Sequence, residues 1–205
     1  MSKKRLFVSI ILNFILFMVI IRGLLLKLRF SNFVDSLKYA EILCPIFLAI
    51  VVVLYILSLI HSFISGNETC KLIEGLRLIF ISSEIVIMII KVAILVPYRG
   101  VFDISGSGIY YYIVIPLLSF ISMIATKRRY GTFALLYGAF ATFVYLCIIS
   151  LLIGFKFIES PYKFMDILNQ RLYKSIINFV IILGINVIVN GIIMCATKTK
   201  RVVKN

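Results

Sequence analysis

Glu84 is the residue in this chain best placed to do chemistry. It follows Ser82-Ser83 inside a long apolar run, and a charge at the centre of a membrane helix costs about 2.5–3.5 kcal/mol on insertion scales. Lys91 stands two helical turns further on the same face, about 10 Å away by helical rise. That is too far for a direct ion pair. Two readings of Glu84 stand side by side. It is a proton, ion or polar-headgroup site at the centre of a bundle, or it makes an interhelical hydrogen bond that holds its helix in register. Asn186 and Asn190, one turn apart on a shared face, are candidate partners, and Asn178 precedes them in the same run.

Hydrolytic and metal chemistry have little to work with. The single histidine, His61, closes an apolar run and reads as an interfacial polar tip rather than a base. The four cysteines, Cys44, Cys70, Cys147 and Cys195, are scattered without metal-ligand spacing and imply no structural disulfide. No Gly-rich phosphate loop follows a strand. Asn67-Glu68-Thr69 fits a glycosylation pattern, but it falls on the side read below as cytoplasmic. No metal site and no cofactor is implied.

The elements that must position these residues are membrane helices. The 205 residues are 62% hydrophobic, with a mean hydropathy of +1.13, and a soluble domain has no core large enough to hide that excess. A bilayer core about 30 Å thick needs roughly 20 apolar residues per helix. A membrane barrel would show alternating polarity instead. The reading is an all-α, polytopic transmembrane bundle of six helices in one domain, over about 6–26, 42–64, 76–96, 109–125, 132–155 and 176–196. Lys3-Lys4-Arg5 before the first run invites a signal peptide, but the run is too long and has no small-residue cleavage site, so it reads as a retained helix. Pro45 reads as a first-turn proline, and Pro97 as a helix stop.

The charge balance, 22 Lys and Arg against 8 Asp and Glu, is read as topology and not as nucleic-acid binding, because the basic residues flank the apolar runs. With the N-terminus inside, Lys3-Lys4-Arg5, the pair Lys71 and Arg77, Lys127-Arg128-Arg129 and the tail Lys198, Lys200, Arg201 and Lys204 all fall on the cytoplasmic side. The expectation is a cytoplasmic-membrane protein with both termini inside. Its partners are membrane lipids, anionic headgroups at the basic tails among them. It could also assemble with itself or with another membrane protein. Ala134, Gly138, Ala141 and Tyr145 form a small-residue stripe, and Gly184 and Gly191 a second spacing, both suited to helix packing. Tyr110-Tyr111-Tyr112 reads mainly as an interfacial aromatic belt.

Several short stretches together resemble a known family. They are Leu95-Val96-Pro97 with Gly100, Ser105-Gly106-Ser107, Pro116-Leu117-Leu118, the run 39–49, and Ser160-Pro161-Tyr162-Lys163-Phe164-Met165-Asp166. They resemble bacterial six-helix membrane proteins distantly related to the androgen-induced membrane hydrolases of animals. Those hydrolases cleave fatty acid esters of hydroxy fatty acids with an intramembrane threonine and histidine. The resemblance implies the six-helix fold. It places Glu41 where the family has threonine and Tyr112 where it has histidine. A tyrosine, with its pKa near 10, does not replace an imidazole base, so the activity is not carried over. Glu84, Glu41, Tyr112, Asn186 and Asn190 are the candidate pocket residues. The leading expectation is a non-catalytic protein that binds a lipid-like ligand or a membrane partner. Two alternatives are an intramembrane lipid-ester hydrolase using Glu41, Tyr112 and His61, and a small proton-coupled transporter using Glu84. Against the transporter, no inverted repeat is visible.

Overall fold

Continuous apolar runs satisfy their backbone hydrogen bonds in lipid only by coiling on themselves, and these runs do so. The computed structural model describes residues 3–28, 39–66, 68–95, 107–126, 130, 133–160 and 172–197. They form six helices. These are α1 (Lys3–Leu28), α2 (Ala40–Ser65), α3 (Lys71–Ile89, continued by a π-helical stretch, Ile90–Leu95), α4, α5 (Ala134–Gly154) and α6 (Leu172–Thr197). Helix α4 has three parts: Ser107–Ile109, a π-helical Tyr110–Val114 and Ile115–Thr126. Among the described residues there is no strand.

The widened turn in α4 has a cause in the sequence. Pro116 has no backbone N–H, and its ring presses on the carbonyl four residues back, that of Tyr112. A stretch of i→i+5 bonding, with the Ile115 N–H reaching the Tyr110 carbonyl, lets the chain pass that point. Pro45 stands inside α2, not in its first turn, because α2 begins at Ala40. Helix α2 ends at Gly66, whose φ of 72° is the left-handed conformation glycine adopts freely; its N–H bonds to the Ser62 carbonyl. The short connection to α3 is tied down. The Thr69 hydroxyl donates to the Glu74 carboxylate, and the Cys70 N–H donates to Ser58 Oγ at 3.1 Å.

Helix α3 is the hub. It packs against α2, α4, α5 and α6, while α1 leans on α2 and α4. The main core joins Leu16 and Ile20 of α1, Leu48 and Val52 of α2, Leu78 and Ile81 of α3, Ile115 and Met123 of α4, and Val189 and Ile193 of α6. The outside of the bundle is apolar too, with Phe14, Leu57, Phe140, Val180 and Ile188 among many exposed side chains. Four helices, α1, α2, α5 and α6, are long and apolar enough to cross a membrane, which is the build of a membrane protein. Helix α3 misses that mark because it carries Lys71, Glu74, Arg77, Glu84 and Lys91, and the run Tyr110–Thr126 in α4 is shorter. Expected and observed ends agree within a turn or so except at α3, which starts five residues earlier and takes Lys71 and Glu74 into the helix.

Candidate functional site

Three charges mark one face of α3. Arg77, Glu84 and Lys91 are spaced by seven residues, so each drifts only about 20° from the last, and together they cover about 21 Å of helix. The signs alternate, and the environments differ. Arg77 is 1% exposed. Its Nη2 donates to Ser122 Oγ of α4 at 2.8 Å, and its guanidinium carbon lies 4.2 Å from the centre of the Tyr55 ring of α2. Its Nε is buried without a partner. Glu84 is also 1% exposed. The Cys44 thiol of α2 lies beside its carboxyl group and donates to the Phe80 carbonyl oxygen at 3.6 Å. The carboxyl oxygen Oε1 is buried with no partner among the described residues. Lys91 is half-buried, and its Nζ sits 4.7 Å from the centre of the Tyr112 ring.

Tyr112 and Tyr111 are buried in the core at 5% and 3% exposure. Both rings belong to the core of the bundle, and Tyr112 faces Lys91 of α3. Lys91 likewise meets a ring inside the bundle. Tyr110 is half-buried, 5.7 Å from the guanidinium carbon of the exposed Arg22.

A second polar cluster lies across α3. Ser82 precedes Glu84 by two residues, which puts it about 200° around the helix. There it meets α5 and α6. Asn186 Nδ2 donates to Thr142 Oγ1 at 2.6 Å, and Asn190 Nδ2 donates to the Leu135 carbonyl at 3.0 Å. A Cβ added to Gly138 would overlap Asn186 Oδ1 and Ser82 Oγ and would lie 2.7 Å from Asn190 Nδ2. Gly138 is thus a packing position that brings backbone against polar side chains. Asn186 and Asn190 are both fully buried, but among the described residues neither is hydrogen-bonded to Glu84. They serve α5. Among the described residues, a Cβ at Gly184 meets nothing within 4 Å, while one at Gly191 meets only Leu135 Cδ2 at 3.6 Å.

Glu41 lies in the first turn of α2, but its side chain is outside the described residues, and so is any cavity it would share with Tyr112. His61 is exposed; its carbonyl accepts from Ser65 Oγ at 2.7 Å. An open apolar groove of about 390 Å³ runs between α1 and α2, lined by Phe17, Leu24, Ala49 and Val53 among others. These α2 residues project roughly opposite Cys44 by the 100° helical step, so α2 separates the groove from Glu84. Sequence reasoning missed Arg77, Cys44 and Tyr55. The signal for Arg77 was present, since the seven-residue step that links Lys91 to Glu84 reaches Arg77 in the other direction. No family model, curated protein or solved structure matches this chain.

Proposed function

We propose that this is a non-catalytic protein of the cytoplasmic membrane with six spans and both termini in the cytoplasm, and that Glu84 binds the polar end of a lipid-like ligand. The carrying observation is Glu84 Oε1, buried in the bundle and without a partner among the described residues. Buried polar atoms in native proteins are nearly always hydrogen-bonded, and an exception calls for an explanation. The Cys44 thiol of α2 lies beside the carboxyl group but leaves this oxygen unmet. A donor on a ligand, such as a hydroxyl, amide or ammonium, supplies what Glu84 lacks.

Six spans are supported by the placement of the charges on α3. Arg77 and Glu84 face the interior, so α3 shows lipid neither of them. The absence of catalysis is supported by the exposed His61 and by Tyr112 lying beneath Lys91, away from any imidazole. The likeness to the six-helix family has no family-model match behind it, and the reading rests on Glu84 and not on kinship.

Native mass spectrometry of the purified protein beside Glu84→Gln tests the ligand. A discrete co-purifying molecule, present in the wild type and lost in the variant, is the expected result and names the occupant. If both carry only bulk phospholipid, Glu84 holds helices together and the ligand reading is wrong.

A further inference from the structure

We propose that Arg77 and the Ser119 hydroxyl form an anion site that takes a phosphate group, at the level of the second turn of α3. The inference is independent of Glu84 and its ligand. A guanidinium offers five N–H donors and stays charged at any physiological pH. Here one hydrogen bond is made, from Nη2 to Ser122 Oγ at 2.8 Å. The Tyr55 ring covers one face at 4.2 Å, and Nε is buried and unpartnered. Among the described residues no carboxylate pairs with Arg77. Glu74, one turn earlier, takes the Thr69 hydroxyl. A buried guanidinium with an unmet N–H is unfavourable, and an anion joining the site would meet it.

Helix α4 supplies the other wall. Ser119, Ser122 and Thr126 are all buried and recur at helical spacing along one side. Two of their hydroxyl protons are already committed: Ser122 Oγ donates to the Ser119 carbonyl at 2.9 Å, and Thr126 Oγ1 to the Met123 carbonyl at 2.6 Å. The Ser119 hydroxyl is buried and has no partner among the described residues. Unmet donors therefore stand on both helices, one of them on a planar fork suited to two oxygens of one phosphate.

Depth points the same way. Arg77 is six residues from the start of α3 and Ser122 four from the end of α4, about 9 Å and 6 Å along each helix. These two ends lie together, because α3 and α4 are antiparallel and packed. On the proposed topology, that is the level at which a bilayer changes from headgroup to hydrocarbon. The phosphate could belong to a phospholipid headgroup or come free from the water.

Lipid-depleted protein in detergent is titrated with dioctanoyl phosphatidylglycerol and, separately, with inorganic phosphate. Each is compared with sodium chloride at equal ionic strength, with thermal unfolding as readout. The wild type and Glu84→Gln are expected to be stabilised alike, Ser119→Ala to need about tenfold more ligand, and Arg77→Lys to lose the response. Response to the phospholipid alone assigns the headgroup; response to inorganic phosphate as well assigns the free anion. Should Arg77→Lys not fold, Ser119→Ala decides, since it removes one oxygen from an otherwise unchanged wall. The proposal is overturned if neither ligand stabilises the wild type beyond chloride, or if Ser119→Ala responds as the wild type does.

Discussion

Among the described glycines, Gly138 has the tightest helix contact. Gly138→Ala drives a Cβ into Asn186 Oδ1 and Ser82 Oγ, so α5 must move away from α3 and α6. The expected loss is about 1–3 kcal/mol, read by denaturant titration in micelles. Gly191→Ala and Gly184→Ala are expected to stay within about 0.5 kcal/mol, because the first meets only ordinary contact and the second nothing. A Gly138→Ala protein as stable as Gly184→Ala would remove Gly138 as a packing constraint. This distinction was only half legible in the sequence. The small-residue stripe on α5 pointed to packing, and Gly138 bears that out. The glycine pair on α6 pointed the same way, but among the described residues a Cβ at Gly184 meets nothing within 4 Å; spacing shows which residues share a face and not which face meets a neighbour. Asn186 and Asn190 show the same limit. Their shared face was readable, but the rotation of α6 that aims it at α5 instead of Glu84 is set by tertiary packing.

At the scale of the element, α3 and α4 are joined through rings. Lys91 and Tyr112 meet where both helices are π-wound. Tyr112→Leu removes the ring from beneath a half-buried ammonium and is expected to cost about 1–2 kcal/mol. Tyr110→Leu, beside the exposed Arg22, is expected to cost roughly 0.5–1 kcal/mol. Thermal unfolding of the two variants side by side checks this; equal losses would assign the effect to ring burial and not to the cation. The helices themselves were legible from apolar runs, since nothing but a helix suits such a run in lipid. The start of α3 was not. Glu74 reads as a loop residue and Arg77, at the edge of the expected span, as a cytoplasmic anchor, because polar residues are normally solvated and hydropathy has no means of seeing the α2 and α4 walls that cover them.

For the whole molecule, the proposed orientation puts Cys70 and Cys195 near the cytoplasmic side and Cys147 within the span of α5. All three are exposed on the bundle surface. In single-cysteine variants, a membrane-impermeant maleimide is expected to label Cys70 in inverted vesicles but not in intact cells. Cys147 is expected to stay unlabelled in both, shielded by lipid. Labelling of Cys70 in intact cells would reverse the topology. The charge pattern gave this orientation by clustering more than by number, since only 12 of the 22 Lys and Arg were assigned inside. One of those, Arg77, proves to lie within α3.

The placement of Arg77 and Glu84 on α3 also bears on how the chain is made. During synthesis α3 emerges before α4, α5 and α6, the helices that wall off most of its polar surface. Alone it partitions poorly, at about 2.5–3.5 kcal/mol for each charge near the helix centre. Only α2, joined to it through residues 66–70, is already there to offer Tyr55 and Cys44. The two are therefore expected to enter the bilayer as a hairpin, with α3 held at the insertion channel until α4 arrives. In a glycosylation-based insertion assay, a segment spanning Lys71–Leu95 is expected to integrate poorly by itself and better when 40–70 precedes it. Full integration of the isolated segment would show that the nascent helix needs no chaperoning by its neighbours.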